Sequence, residues 1–210
     1  MKEKAIDKEN IDTLYESKYL SFYDIGQTEG RNYYQASRRK KEDLVVLKNN
    51  EQINRMNADG VGCVVIVRGQ KDRLFLNHEY RYPVGQYVLS VPAGLFDSEK
   101  ENIFEVARRE IKEETGLEAK EIRLISPLLF SSPGMTDETN AMVCVFVDDV
   151  ENYTSQNCET GELFKGYSLL TKKQAIDLLD RVCDENGNYF SVYTHFALLY
   201  FISELWKKEE

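Results

Sequence analysis

The chain has 210 residues, enough to bury a substantial core without disulfides, as one domain or as one domain with a smaller lobe. Hydrophobic residues at 42% and charged residues at 30% exclude a disordered chain, and no apolar run approaches the roughly 18 residues that span a bilayer. The net charge of −9 repels nucleic acid, so a phosphorylated ligand needs local cations, which metal ions can supply.

The first ~17 residues read as a helical or loose polar leader and lack the apolar stretch of a signal peptide, so the expected location is the cytoplasm. Residues 19–24 and 43–47 are β-like and flank a turn-rich centre at 26–32, as in a small sheet or arm. The basic run from Arg38 to Lys41 reads as a solvated strand end. Residues 61–67 form a continuous apolar run of strand length, 74–76 follow as in a hairpin, and 87–91 form a short strand stopped by Pro92. Over 102–115 the period becomes helical, with Ile103, Ala107 and Ile111 spaced four apart, and Gly116 stands where a helix stops. Residues 122–125, 141–147 and 163–170 again read as strands. Thr171 suits the N-cap of a helix over 172–181, and an amphipathic, aromatic-rich helix is predicted from about 190 to 206. This order of elements predicts an α/β sandwich with a mixed sheet. Cys63, Cys144, Cys158 and Cys183 include no CxxC pair and read as reduced thiols rather than a zinc site.

Glu110, Glu113 and Glu114 stand at i, i+3 and i+4 of the predicted helix, within one arc about 100° wide. Like charges at that spacing cost roughly 0.2–0.5 kcal/mol per pair, and they fall near the helix C-terminus, where the dipole disfavours anions. A hard divalent cation offsets this cost, because Mg²⁺ prefers carboxylate oxygens shared with water and phosphate. The alternative is a solvated acidic face countered by Arg108, Arg109 and Lys112, in which Arg109 and Glu113 form an ordinary i, i+4 pair.

The flanking residues favour the metal. Gly94 is followed by Glu101, seven intervening residues, and Arg109-Glu110-Ile111-Lys112-Glu113-Glu114-Thr115-Gly116-Leu117. This resembles the signature of the Nudix hydrolase family: a glycine, five residues, Glu, seven residues, then Arg-Glu-apolar-x-Glu-Glu-x-Gly-apolar. The departure is six residues rather than five between Gly94 and Glu101, a one-residue loop insertion. The resemblance implies a Nudix-type α/β/α sandwich with a mixed sheet over residues 59–210, preceded by a leader and small β arm over 1–58 that serves dimerisation and base binding. It also implies that Glu110, Glu113 and Glu114 hold Mg²⁺, with Mn²⁺ as a possible substitute, together with the backbone carbonyl of Ala93. Glu101 and Arg109 then brace the loop and orient the carboxylates.

Further residues narrow the substrate. Glu79-Tyr80-Arg81-Tyr82-Pro83-Val84-Gly85, then Val91-Pro92-Ala93-Gly94-Leu95, look like the ADP-ribose pyrophosphatase branch of that family. Ser131-Ser132-Pro133-Gly134-Met135-Thr136-Asp137-Glu138 resembles the branch's Ser-Pro-Gly-x-(Ser/Thr)-x-Glu loop, with a proline about sixteen residues past the box, a position associated with ADP-sugars. One departure is Ser90, where many relatives carry Glu. The resemblance implies substrate contacts from Arg81, whose planar fork suits phosphate or ribose oxygens, and from Pro133, Gly134 and Glu138. It also implies adenine stacking on an aromatic of the arm, Tyr34 with Tyr19 as second candidate, within a homodimer. The resemblance further implies a catalytic group of Glu113, Arg109 and a general base from the loop before the last strand, Glu162 with Glu159 as fallback. The expected reaction is Mg²⁺-dependent hydrolysis of ADP-ribose or a related ADP-sugar to AMP and a sugar phosphate, with no nucleic-acid or membrane partner. Two alternatives are hydrolysis of another nucleoside diphosphate sugar and a non-catalytic nucleotide sensor; the intact acidic box speaks against the sensor.

Overall fold

In a computed structural model, which describes residues 6–26, 32–98, 101–156, 158 and 161–207, the chain divides into two units. One comprises Met1–Asp59 with Leu128–Asn140, the other Gly60–Pro127 with Ala141–Glu210.

In the first unit, β1 (Ile11–Tyr15), β2 (Ser21–Gly26) and β3 (Asn32–Ser37) form an antiparallel sheet in that order. Alternation sends Ile11, Tyr23 and Ile25 inward, where Leu44 completes a small core. The outer face leaves Tyr15, Phe22 and Tyr34 exposed. Among its described residues the leader is not an α-helix: residues 8–10 make a single 3-10 turn and 11–15 a strand, because pairing with β2 overrides a polar local sequence. Residues 43–47 are not a strand either. The 3-10 turns Lys41–Asp43 and Val45–Leu47 carry Leu44 between them into the core, and a short apolar run does not reveal which kind of backbone buries it. Of the turn-rich centre, residues 27–31 lie outside the described residues. A short helix, α1 (Asn50–Asn54), starts at a capping box of Asn49 and Gln52.

The basic run is partly engaged rather than solvated. Arg38 Nε lies 2.7 Å from Glu138 Oε1, and Arg39 Nη2 lies 2.7 Å from Asp59 Oδ2. Arg39 Nη1 donates to the Asp137 carbonyl at 2.9 Å, while the Asp137 carboxylate accepts from Ser37 Oγ at 2.6 Å and Val45 N at 3.1 Å. Apart from Arg39–Asp59, which are 20 positions apart, these bonds join residues 92 to 100 positions apart in the sequence.

The second unit contains β4 (Gly60–Val67), β5 (Arg73–Arg81), β6 (Gln86–Ser90), β7 (Ala93–Leu95) and α2 (Ile103–Thr115). These are followed by β8 (Glu121–Phe130), β9 (Thr139–Val147), β10 (Phe164–Leu170), α3 (Lys172–Leu179), β11 (Tyr189–Phe190) and α4 (Val192–Ser203). The far ends of β8 and β9 belong to the first unit. The sheet runs β11-β6-β5-β4-β9-β8, with β7 paired to β4 and β10 to β5. The β11–β6 pair is parallel and β5 meets β4, β6 and β10 antiparallel, so the sheet is mixed as expected. Every residue of β4 is buried, which is why that strand reads as a continuous apolar run. Val64, Ile66, Leu74 and Leu76 face one layer, with Ala175 and Leu178 of α3 and Ala197, Leu198 and Phe201 of α4. The other layer is α2, whose Val106, Ala107 and Ile111 are buried.

Several boundaries differ from expectation: β5 runs beyond 76 to Arg81, and α3 ends at Leu179 rather than 181. Strand β8 continues through Pro127 to Phe130, which an end strand tolerates because proline's missing donor has no partner to lose. The last helix is shorter than predicted: Ser191 caps it, Phe190 lies in β11, and Glu204 ends it in the left-handed region. It is apolar on most sides rather than amphipathic, with Leu199 and Val192 exposed. No helix among the described residues is long and apolar enough to cross a membrane.

Candidate active site

The site is built on α2, and the two ends of that helix fix the phase of its glutamates. Asn102 accepts from the backbone of Phe104 and Glu105 at 3.0 Å, and Glu105 answers by accepting from Asn102 N at 3.2 Å. At the other end Gly116 has φ of 68°, and a Cβ there would lie 2.6 Å from Thr154 Cγ2 and 2.9 Å from the Asn152 carbonyl oxygen. Held this way, the helix turns Glu110 and Glu114 inward and leaves Glu113 partly exposed.

Glu110 closes directly on β7. A Cβ added to Gly94 would sit 1.9 Å from the Glu110 carboxyl carbon, so only glycine permits this approach. Glu114 is 4% exposed and joins two strands: Oε1 accepts from Ala93 N of β7 at 3.2 Å and Oε2 from Asn77 Nδ2 of β5 at 2.9 Å. Burial, with Glu79, Glu110 and Glu162 adding to it, holds the Glu114 carboxyl well above its ordinary value of 4.5, against the lowering effect of the Ala93 N–H.

Arg109 organises the outer edge. Its Nη1 donates to Glu110 Oε1 at 2.7 Å and to Glu113 Oε2 at 3.3 Å, and its Nη2 donates to the Leu95 carbonyl at 2.9 Å. Glu101 Oε1 stands 3.6 Å from Arg109 Nε, and Glu101 Oε2 accepts from Asp97 N at 2.7 Å. In the structure, then, Glu101 ties the loop to the arginine, and the arginine ties the loop to two glutamates. Residues 99 and 100 of that loop lie outside the described residues.

Two members of the site are absent from the signature. Asn77 and Glu79 alternate on one side of β5, both buried, and face the helix glutamates. Their sequence signal was a pair of polar residues at period 2 directly after the apolar run at 74–76. Glu79 Oε2 lies 2.8 Å from Arg81 Nη2 and accepts from the Ser90 hydroxyl. Burial raises the Glu79 carboxyl above its ordinary value, with Arg81 and Ser90 acting against it. Glu162, exposed in the segment before β10, lies in the electrostatic field of both Glu79 and Glu114. That segment is pinned where the Leu163 carbonyl accepts from Tyr80 N at 2.8 Å. Burial and nearby Glu162 push the Cys158 thiol up to about 11, so it is not a thiolate. Glu159 lies outside the described residues.

Among the described residues no three His, Cys, Asp or Glu side chains converge as a ready ligand group, and Arg109 bridges Glu110 and Glu113. The chemistry nevertheless fits a hard divalent cation. The donors are all oxygen, two carboxylates are buried side by side, the buried Asn77 Oδ1 has no hydrogen-bond partner, and the Gly94 backbone offers a cradle that a Cβ would fill.

The other predicted contacts lie in the first unit. Tyr33 rather than Tyr34 meets the Pro133–Gly134 turn, its hydroxyl donating to the Gly134 carbonyl at 2.7 Å. Tyr33, Gln35, Pro133 and Met135 line a cavity of about 330 Å³. Tyr34 points to the opposite face of β3 and stacks on Phe22 at 6.1 Å, half exposed. Tyr19 is exposed, with the Lys18 ammonium 4.7 Å above its ring. Glu138 is held by Arg38 and by Ser131 Oγ at 3.0 Å.

Comparisons with known proteins agree with this geometry. A Caenorhabditis elegans protein named as a nudix hydrolase is 42% identical over 93 residues, 44% of this chain and 41% of its own length. The ADP-ribose pyrophosphatase of Saccharomyces cerevisiae is 40% identical over 93 residues, 43% of this chain and 39% of its own. The matched stretch thus spans about two-fifths of the length of these relatives. A crystal structure described as an ADP compounds hydrolase shares the fold, with a TM-score of 0.58 and 18% identity over 94% of this chain and 91% of that one. The NUDIX domain matches residues 56–191, well over half of the sequence and all of the acidic helix, and the chain therefore belongs to the Nudix family.

Proposed function

We propose that the chain is a divalent-cation-dependent pyrophosphohydrolase that cleaves ADP-ribose or a related ADP-sugar to AMP and a sugar phosphate. The observation that carries this is the Glu110 carboxyl closed on Gly94 beside buried Glu114, with Glu79 and Glu162 in the same field. Glu110, Glu113, Glu114 and the Ala93 carbonyl would hold the cation, and an all-oxygen set suits Mg²⁺ with Mn²⁺ as substitute. Such ions, when bound, neutralise phosphate charge and lower the pKa of a coordinated water. Arg109 holds Glu110 and Glu113 in position beforehand. Glu162 accepts the proton of the attacking water, a task its exposed position permits. Arg81 binds phosphate oxygens through the N–H groups that Glu79 leaves free.

The preference for an ADP-sugar is supported by the yeast relative's name and by the Pro133–Gly134 turn. The half-exposed ring of Tyr34 offers a stacking surface for adenine, and Glu138 lines the same unit. The exposed aromatic face of β1–β3 supports a homodimer, and four free cysteines suit a cytoplasmic setting. The test is incubation of the purified chain with ADP-ribose, ADP-glucose and UDP-glucose in Mg²⁺, Mn²⁺ or EDTA, with products separated. AMP and ribose 5-phosphate from ADP-ribose, abolished by EDTA, are expected. Failure to cleave any of the three in either metal would overturn the proposal.

A further inference from the structure

Glu79 is a buried carboxylate, 8% exposed, placed beside other carboxylates where its ionised form is disfavoured. Its partner Arg81 is the last residue of β5. The Arg81 carbonyl accepts from Val84 N at 3.0 Å and Gly85 N at 2.9 Å, so the turn over 82–85 fixes its backbone. The side chain is half exposed, and its direction depends on the 2.8 Å contact with Glu79. Glu79 in turn is held by the Ser90 hydroxyl of the neighbouring strand β6.

The same site shows what a guanidinium does among these glutamates. Arg109, on the helix itself, is drawn to Glu110 and Glu113 and takes one oxygen of each. Glu114 and Glu162 lie in the field of Glu79, and a second untethered arginine would be drawn to them by the same attraction. Resting on the proposed diphosphate chemistry, we propose that Glu79 is a positioning residue. It tethers Arg81 at the edge of the carboxylate cluster, so that the guanidinium meets the substrate's diphosphate instead of collapsing onto the glutamates that hold metal. A guanidinium has five N–H donors, and one contact to Glu79 leaves a pair for phosphate oxygens.

The test combines ADP-ribose kinetics with Mn²⁺ binding followed by calorimetry, for wild type, Glu79→Gln, Glu79→Ala, Arg81→Ala and the Glu79→Ala/Arg81→Ala double variant. Glu79→Ala should raise KM about tenfold through loss of an oriented, charge-assisted contact. It should also weaken Mn²⁺ binding about tenfold, with little change in kcat at saturating metal and substrate. Glu79→Gln keeps an acceptor oxygen at the same reach, to which Arg81 can donate, and should recover most of the KM. In the double variant Mn²⁺ binding should return to the wild-type value while KM stays high, an outcome that a damaged fold cannot produce. Unchanged Mn²⁺ affinity in Glu79→Ala, or weakened affinity that persists in the double variant, would overturn the tether. If the wild-type chain hydrolyses nothing, the proposed activity fails, whereas the Mn²⁺ measurements still decide for or against the tether.

Discussion

Glu114 commits both carboxylate oxygens to protein donors, Ala93 N and Asn77 Nδ2, and still sits where ionisation is disfavoured. Its folded carboxyl holds a proton more tightly than the same group in the unfolded chain. The stability it contributes is therefore fully present below the ordinary value of 4.5 and is lost as pH rises through the raised folded value. At higher pH the ionised group weakens the metal-free fold. Glu114→Gln removes that penalty, and the unpartnered Asn77 Oδ1 can accept from the new amide once the Asn77 side chain turns over. In EDTA at pH 8 the variant should melt about 2–4 °C above wild type, the shift that roughly 1 kcal/mol gives in a chain of this size. The gap should shrink as pH falls, and turnover in Mg²⁺ should drop by orders of magnitude. A lower melting temperature at pH 8 combined with normal turnover would remove Glu114 from the site.

Between elements, the decisive contact is that of α2 with β7, where one glycine sets the distance. A Cβ at position 94 would overlap the Glu110 carboxyl oxygens, at 1.9 and 2.3 Å, and the far end of Glu110 must then swing away. Gly94→Ala should leave the fold intact but lower metal affinity and kcat/KM by about 10–100-fold, the usual effect of disturbing a ligand's support. Wild-type metal titration by Gly94→Ala would show that Glu110 need not approach β7. Helix α2 was legible because its signals are local: the period over Ile103, Ala107 and Ile111, and the stop at Gly116; the cap at Asn102 emerged only from the structure. Strands β4 and β9 were legible for a similar reason, since burial on both faces leaves an uninterrupted apolar run. Asn77 and Glu79 were not assigned to the site, because their role arises only when β5 lies opposite α2, 37 residues away in the case of Asn77 and Glu114. Strand β1 was illegible because its partner strand, rather than its own composition, determines its conformation.

At the scale of the whole molecule, the chain carries a net charge of −9, and one well-covered cation, Arg39, joins segments distant in sequence. It reaches Asp59 at 2.7 Å and the Asp137 carboxylate at 3.5 Å, with side-chain exposures of 11%, 16% and 7%. Asp137 also accepts from Ser37 and Val45, so residues 128–140 are bound into the first unit by polar groups that exclude water. Arg39→Ala would leave two largely buried carboxylates without their cation, a loss of about 3–5 kcal/mol where a buried pair is broken from one side. The cost should fall on the first unit, whose apolar core of Ile11, Tyr23, Ile25 and Leu44 is small, and not on the layered core of the second. Hydrogen exchange of Arg39→Ala should therefore accelerate strongly at residues 21–25, 33–37 and 135–139, while amides of β4 and α2 keep wild-type protection. Equal acceleration in β4 and α2 would mean that the two units open together, and that Arg39 stabilises the chain as a whole.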